Sequence, residues 1–149
     1  MDIQLINEEL LSALRSQARA SERLRQNFDL RTTPEDTSQR MLNVLEPGTQ
    51  VPIHRHEDTT ETVVCLKGRI DWVFYEEISR LADSNERPEV ERSSMDAGGP
   101  GREFKEFFRT EICPSEGKYG IQIPVGVWHT IEVKEESCIL EAKDGAYKG

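Results

Sequence analysis

Between Met41 and Ala142 the apolar residues of this chain come only in short runs, interrupted by glycine, proline or polar turn residues. Eight such runs (41–45, 51–56, 62–66, 70–75, 104–112, 121–123, 127–133 and 138–142) have the length and the Val, Ile and Phe content of strands. Short strands joined by turns fold as an antiparallel sandwich or barrel, so the expectation is an all-β domain. Ahead of it, residues 7–20 predict one helix. Asn7 is suited to cap it, Glu8 and Glu9 to its first turn, and Leu10, Leu11, Leu14 and Ala18 form a narrow apolar stripe that must lie against something.

A polar stretch, residues 21–39, reads as a connecting arm. The segment 80–102 is rich in Ser, Glu, Arg, Gly and Pro and reads as a mobile, partly disordered insertion at a hairpin tip. With 149 residues the chain has room for one core. The expected division is a helix and arm over 1–40, packed on a single domain over 41–149 that carries the insertion.

The 28 acidic residues against 19 basic ones give a net charge of -9, which repels phosphate backbones and anionic bilayers. Nucleic acid and membrane surfaces are therefore set aside as partners, and a small-molecule ligand is expected. The first ten residues show no cationic stretch leading into an apolar run, and no window is long and apolar enough to span a bilayer. Cys65, Cys113 and Cys138 are odd in number and far apart, which fits neither a disulfide framework nor a cysteine zinc site. A cytoplasmic protein with reduced thiols is the simplest expectation.

The chemistry concentrates on the only three histidines, His54, His56 and His129. Residues at i and i+2 of a strand point to the same face, so His54 and His56 can converge on one point. Glu61 opens the returning strand and can bring a carboxylate to the same place, while Gly48 and Gly68 sit where tight turns are needed. His129 heads another strand behind the bend Pro124-Val125-Gly126. Three imidazoles and a carboxylate are borderline ligands for a divalent metal, and Fe, Mn, Ni, Co and Zn all remain open.

This arrangement, Gly48-x5-His54-x-His56-x4-Glu61-x6-Gly68 followed by Pro124-x-Gly126-x2-His129, resembles the two motifs of the cupins, small jelly-roll β-barrels. The second motif departs from the pattern. Its leading glycine, Gly117 or Gly120, is out of step, and Val133 stands where an asparagine is usual. The segments 23–27, 39–48, 54–56, 124–129 and 141–147 are similar to the WbuC family of cupin fold metalloproteins. That resemblance implies a bacterial cytoplasmic metal-binding cupin, some members being encoded among genes for surface-polysaccharide synthesis. It implies no known reaction.

Alternation places Val63 and Cys65 beside Glu61, and Ile131 and Val133 beside His129, giving the metal an apolar wall. Thr62, Val64 and Leu66 make the opposite face apolar too, which calls for a cover, either the helix or the partner of a homodimer. Glu141 and Lys143 share a face of the last strand. They suit a catalytic acid–base couple, and equally a solvated strand edge. Arg25 and Asn27 of the arm, with Tyr119, Gln122 and Tyr147, are candidates for a substrate pocket. Two functions fit: a metal-dependent isomerase, epimerase or dioxygenase acting on a small polar metabolite such as a sugar or nucleotide sugar, or a non-catalytic cupin that captures a ligand through its metal.

Overall fold

The computed structural model describes residues 2–78, 91–92 and 101–145. Helix α1 (Glu8–Ala20) begins where the Asn7 side chain accepts a hydrogen bond from the Leu10 N–H at 3.1 Å. Its buried residues Leu11, Leu14 and Ala18 pack on Leu42, Val44 and Cys138, and Arg19 is paired to Glu136 at 2.7 Å. Burying each leucine contributes roughly 1.5–3 kcal/mol, which outweighs the exposed ion pair many times over.

The strands are β1 (Arg25–Asp29), β2 (Ser38–Leu45), β3 (Glu61–Ile78), β4 (Glu91–Arg92), β5 (Glu103–Ile112), β6 (Gly120–Ile123) and β7 (Trp128–Asp144). They pair antiparallel in the order β1-β2-β7-β3-β5-β4, with β6 alongside β3. Strands β3 and β7 are each continuous where the sequence predicts two separate strands. The pairing of β3 with β7 shifts register between Cys65 and Ile70, so both strands bend without breaking. Val63 and Cys65 from one half of β3 then meet Ile70, Trp72 and Phe74 from the other in one core, together with Leu45, Ile112, Ile123 and Ile139. The result is an all-β jelly roll with an N-terminal helix.

Gly68 makes the bend possible. Its φ of 114° lies in the region that favours glycine, and a Cβ there would sit 2.0 Å from Ser137 Oγ and 2.6 Å from the Ser137 backbone. Ser137 is itself fixed, accepting a hydrogen bond from the Arg69 N–H at 3.0 Å and donating one to the Glu135 carbonyl at 2.7 Å. Gly68→Ala is therefore expected to destabilise the protein by about 2–4 kcal/mol. Chemical denaturation of the two proteins measures this, and an unchanged midpoint would refute it.

Three local expectations are corrected by the structure. The arm contains a strand, β1, which the sequence hides because Arg25-Gln-Asn-Phe-Asp29 lacks an apolar alternation; it is an edge strand held by β2 alone. Residues 51–56 form no strand, and only His54 makes a bridge, to His129. The acidic stretch 132–136, whose run of charges in the sequence reads as a surface turn, is part of β7, its Glu132, Glu135 and Glu136 facing Arg109, Arg69 and Arg19. The helix covers β2 and β7, leaving Val64 and Leu66 on the outer side of β3 each 41% exposed. Most of the segment 80–102, including what the sequence suggests of its mobility, lies outside the described residues; 91–92 pair with Phe104 and Glu103.

Candidate metal centre

The segment carrying His54 and His56 is clamped to the start of β7 by its backbone. His54 N–H donates to the His129 carbonyl at 3.0 Å and His129 N–H donates back to the His54 carbonyl at 2.8 Å. On either side, Thr130 Oγ1 donates to the Val51 carbonyl at 2.5 Å and Gly126 N–H to the His56 carbonyl at 2.8 Å. Gly126 reaches this position with a φ of 81°, which explains the glycine in the Pro124-x-Gly126 bend.

Ligand atoms of His54, His56 and His129 all lie within 4.8 Å of one another. Two of the rings are oriented by their own neighbourhood. Nδ1 of His54 is 2.9 Å from the Pro52 carbonyl, and Nδ1 of His129 is 2.9 Å from the Val127 carbonyl. A carbonyl only accepts, so each Nδ1 carries the proton and each Nε2 keeps its lone pair for a ligand. Burial, the main cause, pushes both imidazoles below the ordinary histidine range, His129 to about 4. They are therefore neutral at pH 7, as metal ligation requires.

Glu61, buried at the start of β3, stands next to the cluster. Its Oε2 is 3.2 Å from His56 Nε2 and 3.6 Å from Lys143 Nζ, a cross-strand neighbour in the β3–β7 register. The approach to His56 is not aligned as a hydrogen bond, and His56 Nε2 is buried without a hydrogen-bond partner. Burial alone would raise the Glu61 carboxyl, but His56 and Lys143 beside it hold it below the usual range. A buried Nε2 facing the Glu61 carboxylate, two further Nε2 atoms with free lone pairs beside it and that ionised carboxylate make a donor set that fits a divalent cation. On the apolar side, the Phe74 ring lies 6.2 Å from His129 and 5.8 Å from the half-exposed Phe108.

Beyond Lys143 a cavity of about 110 Å³ opens between β1, β2 and β7, lined by Asn27, Gln39, Met41, Glu141 and Lys143. Glu141 is raised to about 7, first by burial and then by the Glu61 charge.

Residues 6–86 match the family described as a domain of unknown function, DUF6016. The chain belongs to the DUF6016 family. No curated protein matches the DUF6016 chain in sequence. Among solved structures, the capsular polysaccharide assembling protein CapF from Staphylococcus aureus is similar with a TM-score of 0.52 and 18% identity, over 86% of this chain and 30% of CapF. A conserved protein of unknown function from Streptococcus pyogenes, SPY1581, is similar with a TM-score of 0.51 and 10% identity, over 85% of this chain and 79% of the other. The DUF6016 chain thus spans under a third of CapF. At these identities the likeness carries the fold alone. Among the described residues, the three histidines are the group within this fold that could hold a metal ion.

Of the residues singled out from sequence, the structure brings His54, His56, His129 and Glu61 together, and Asn27, Glu141 and Lys143 to the adjoining cavity. Arg25 is engaged elsewhere, donating to the Gln50 carbonyl at 3.2 Å. Tyr119 is 63% exposed and Gln122 lies on the solvent side of edge strand β6, so neither lines the cavity. Tyr147 lies outside the described residues. Sequence reasoning missed Gln39 and Met41 in the cavity wall and Asn43 beside Glu141. Their signal is an alternation in β2. Leu42 and Val44 turn to the helix, so Gln39, Met41 and Asn43, on the other face of the strand, must turn inward.

Proposed function

We propose that this DUF6016 protein is a metal-dependent cupin enzyme acting on a small polar metabolite, with His54, His56 and His129 as imidazole ligands and Glu61 as the fourth. The observation that carries the reading is the set of converging Nε2 atoms, two fixed by Nδ1–carbonyl hydrogen bonds and one buried against the Glu61 carboxylate. When bound, a divalent ion supplies Lewis acidity toward substrate oxygens. The Phe74 ring beside His129 gives the site an apolar wall that excludes water and strengthens local electrostatics. Glu141, titrating near neutrality, can hold or release a proton at its carboxyl, and Lys143 steadies the Glu61 carboxylate. The resemblance to the WbuC cupins, together with the polysaccharide role in the name of CapF, favours a substrate drawn from surface-polysaccharide synthesis.

Elemental analysis of protein purified without oxygen is expected to show one divalent metal per chain, bound by the wild type and lost on His54→Ala substitution. Incubation of the loaded protein with candidate sugars is expected to yield product over many turnovers. Ligand binding without product would replace the enzyme by a ligand-capturing cupin, and a wild type that takes up no metal would overturn both.

A further inference from the structure

The helix leaves part of the outer sheet face uncovered, and that part carries no charge. On β3 the outward row is Thr62, Val64 and Leu66, and the β6 residues paired beside it are Gln122 and Gly120, all five exposed. In a chain that is 32% charged, five adjoining solvent-facing positions without one charged side chain stand apart from the rest of the surface. A second apolar surface lies at the rim of this face. Residues 2–6 belong to no helix or strand, and among them Ile3, Leu5 and Ile6 are 84%, 62% and 47% exposed. The segment leads into α1 at Glu8, whose Oε1 lies 3.9 Å from Nζ of Lys67, the residue after Leu66.

The two surfaces do not bury each other within one chain, although the segment is rooted beside the face. Ile3, Leu5, Ile6, Val64 and Leu66 together expose on the order of 450 Å² of apolar surface. A standard interface takes about 800 Å² from each partner, of which about 60% is apolar, so these five supply the apolar part of one. Charge points to a second copy as the occupant. With a net charge of -9, two copies repel each other over most of their surface, and the neutral face is where they can approach. Its rim carries one exposed charge of each sign, Lys67 and Glu8, so a two-fold axis lets the cation of each copy face the anion of the other. Five residues reach about 17 Å when extended, farther than three neighbouring strands are wide, so the segment of one copy can lie across the outward row of the other.

We infer that two copies of this chain associate through this face, the segment 2–6 of each packing on Val64 and Leu66 of the other. The inference stands apart from the metal-binding reading, since none of these residues belongs to the histidine cluster.

The test is sedimentation equilibrium of the full chain, which is expected to show twice the chain mass at about 10 μM. Leu66→Lys is expected to weaken association by at least about 100-fold, because the two-fold axis places the new ammonium in the contact twice. Leu5→Asp is expected to do the same from the side of the segment. Both positions are exposed in the single chain, so both variants are expected to keep the far-ultraviolet circular dichroism and the metal uptake of the wild type. Phe107→Lys, at another exposed apolar position on β5, is expected to leave the association unchanged. A monomer at about 10 μM, a dimer that both Leu66→Lys and Leu5→Asp leave intact, or a dimer dissociated by Phe107→Lys instead overturns the inference. Metal uptake by the monomeric variants keeps the histidine site separate from that outcome.

Discussion

His129→Ala is expected to weaken divalent metal binding by more than about 100-fold, beyond the loss usual for a residue that only orients a ligand. The ring is 2% exposed, its Nδ1 is tied to the Val127 carbonyl, and the two other histidines of the chain, His54 and His56, already belong to the cluster and cannot replace it. His56→Ala is the companion variant, since its side chain is 21% exposed and its removal leaves a smaller hole. It is expected to cause a loss of similar size, and Glu61→Gln a smaller one, three imidazoles remaining in place. Competition against a chromophoric chelator measures all three, with thermal melting as the control for folding. A folded His56→Ala protein that binds metal like the wild type would remove His56 from the ligand set.

The second large effect concerns stability. Glu141→Gln is expected to stabilise the metal-free protein by up to about 3 kcal/mol at about pH 8 and by very little at about pH 4. The direction follows from the folded carboxyl being raised to about 7 against an ordinary value of 4.5. Below the ordinary value both states hold the proton and nothing is lost. As pH rises through the folded value, the unfolded chain has already ionised while the folded one must ionise in a poor environment, so stability falls. His129 works the other way. Its imidazole is depressed to about 4 from 6.5, so its contribution is present above 6.5 and is lost as pH falls through the folded value. His54, likewise depressed by burial, adds to the imidazole trend, so in the wild type Glu141 offsets part of that trend and the stability profile between about pH 4 and 8 is expected to be shallower than without it. With Glu141→Gln the imidazole trend stands alone, and stability should drop by about 3 kcal/mol on acidification. Urea unfolding at several pH values reads this directly, and parallel profiles for the two proteins would contradict it.

Much of this was readable from the residues because it depends on local rules. A capping Asn7 before an apolar stripe makes a helix, and the three histidines and Glu61 stand at spacings that strand geometry can bring together. What was hidden depends on partners distant in the chain. β1 is a strand only because the N–H and C=O groups of β2 are there to pair with it. Residues 51–56 look like a strand by composition, but Pro52 has no N–H to give, and the segment is held at single points by Thr130, His129 and Gly126. The bends at Gly68 and beside Ser137 read as strand ends, yet register shifts absorb them and pairing continues. Tyr119 and Gln122 have the chemistry of pocket residues, but Tyr119 lies exposed just ahead of β6 and Gln122 on the solvent side of that edge strand, which nothing in their immediate sequence reveals.

The reciprocal hydrogen bonds between His54 and His129 have a kinetic consequence. An ion shared by these two residues would close the chain between positions 54 and 129 into a covalently bounded ring, in the manner of a cross-link, at the point where the backbone already joins them. Escape of the ion would then require the segment 51–56 to peel from β7, undoing the anchors at Val51, His54 and His56 together. Metal exchange and opening of this edge of the barrel would be the same event, with one rate.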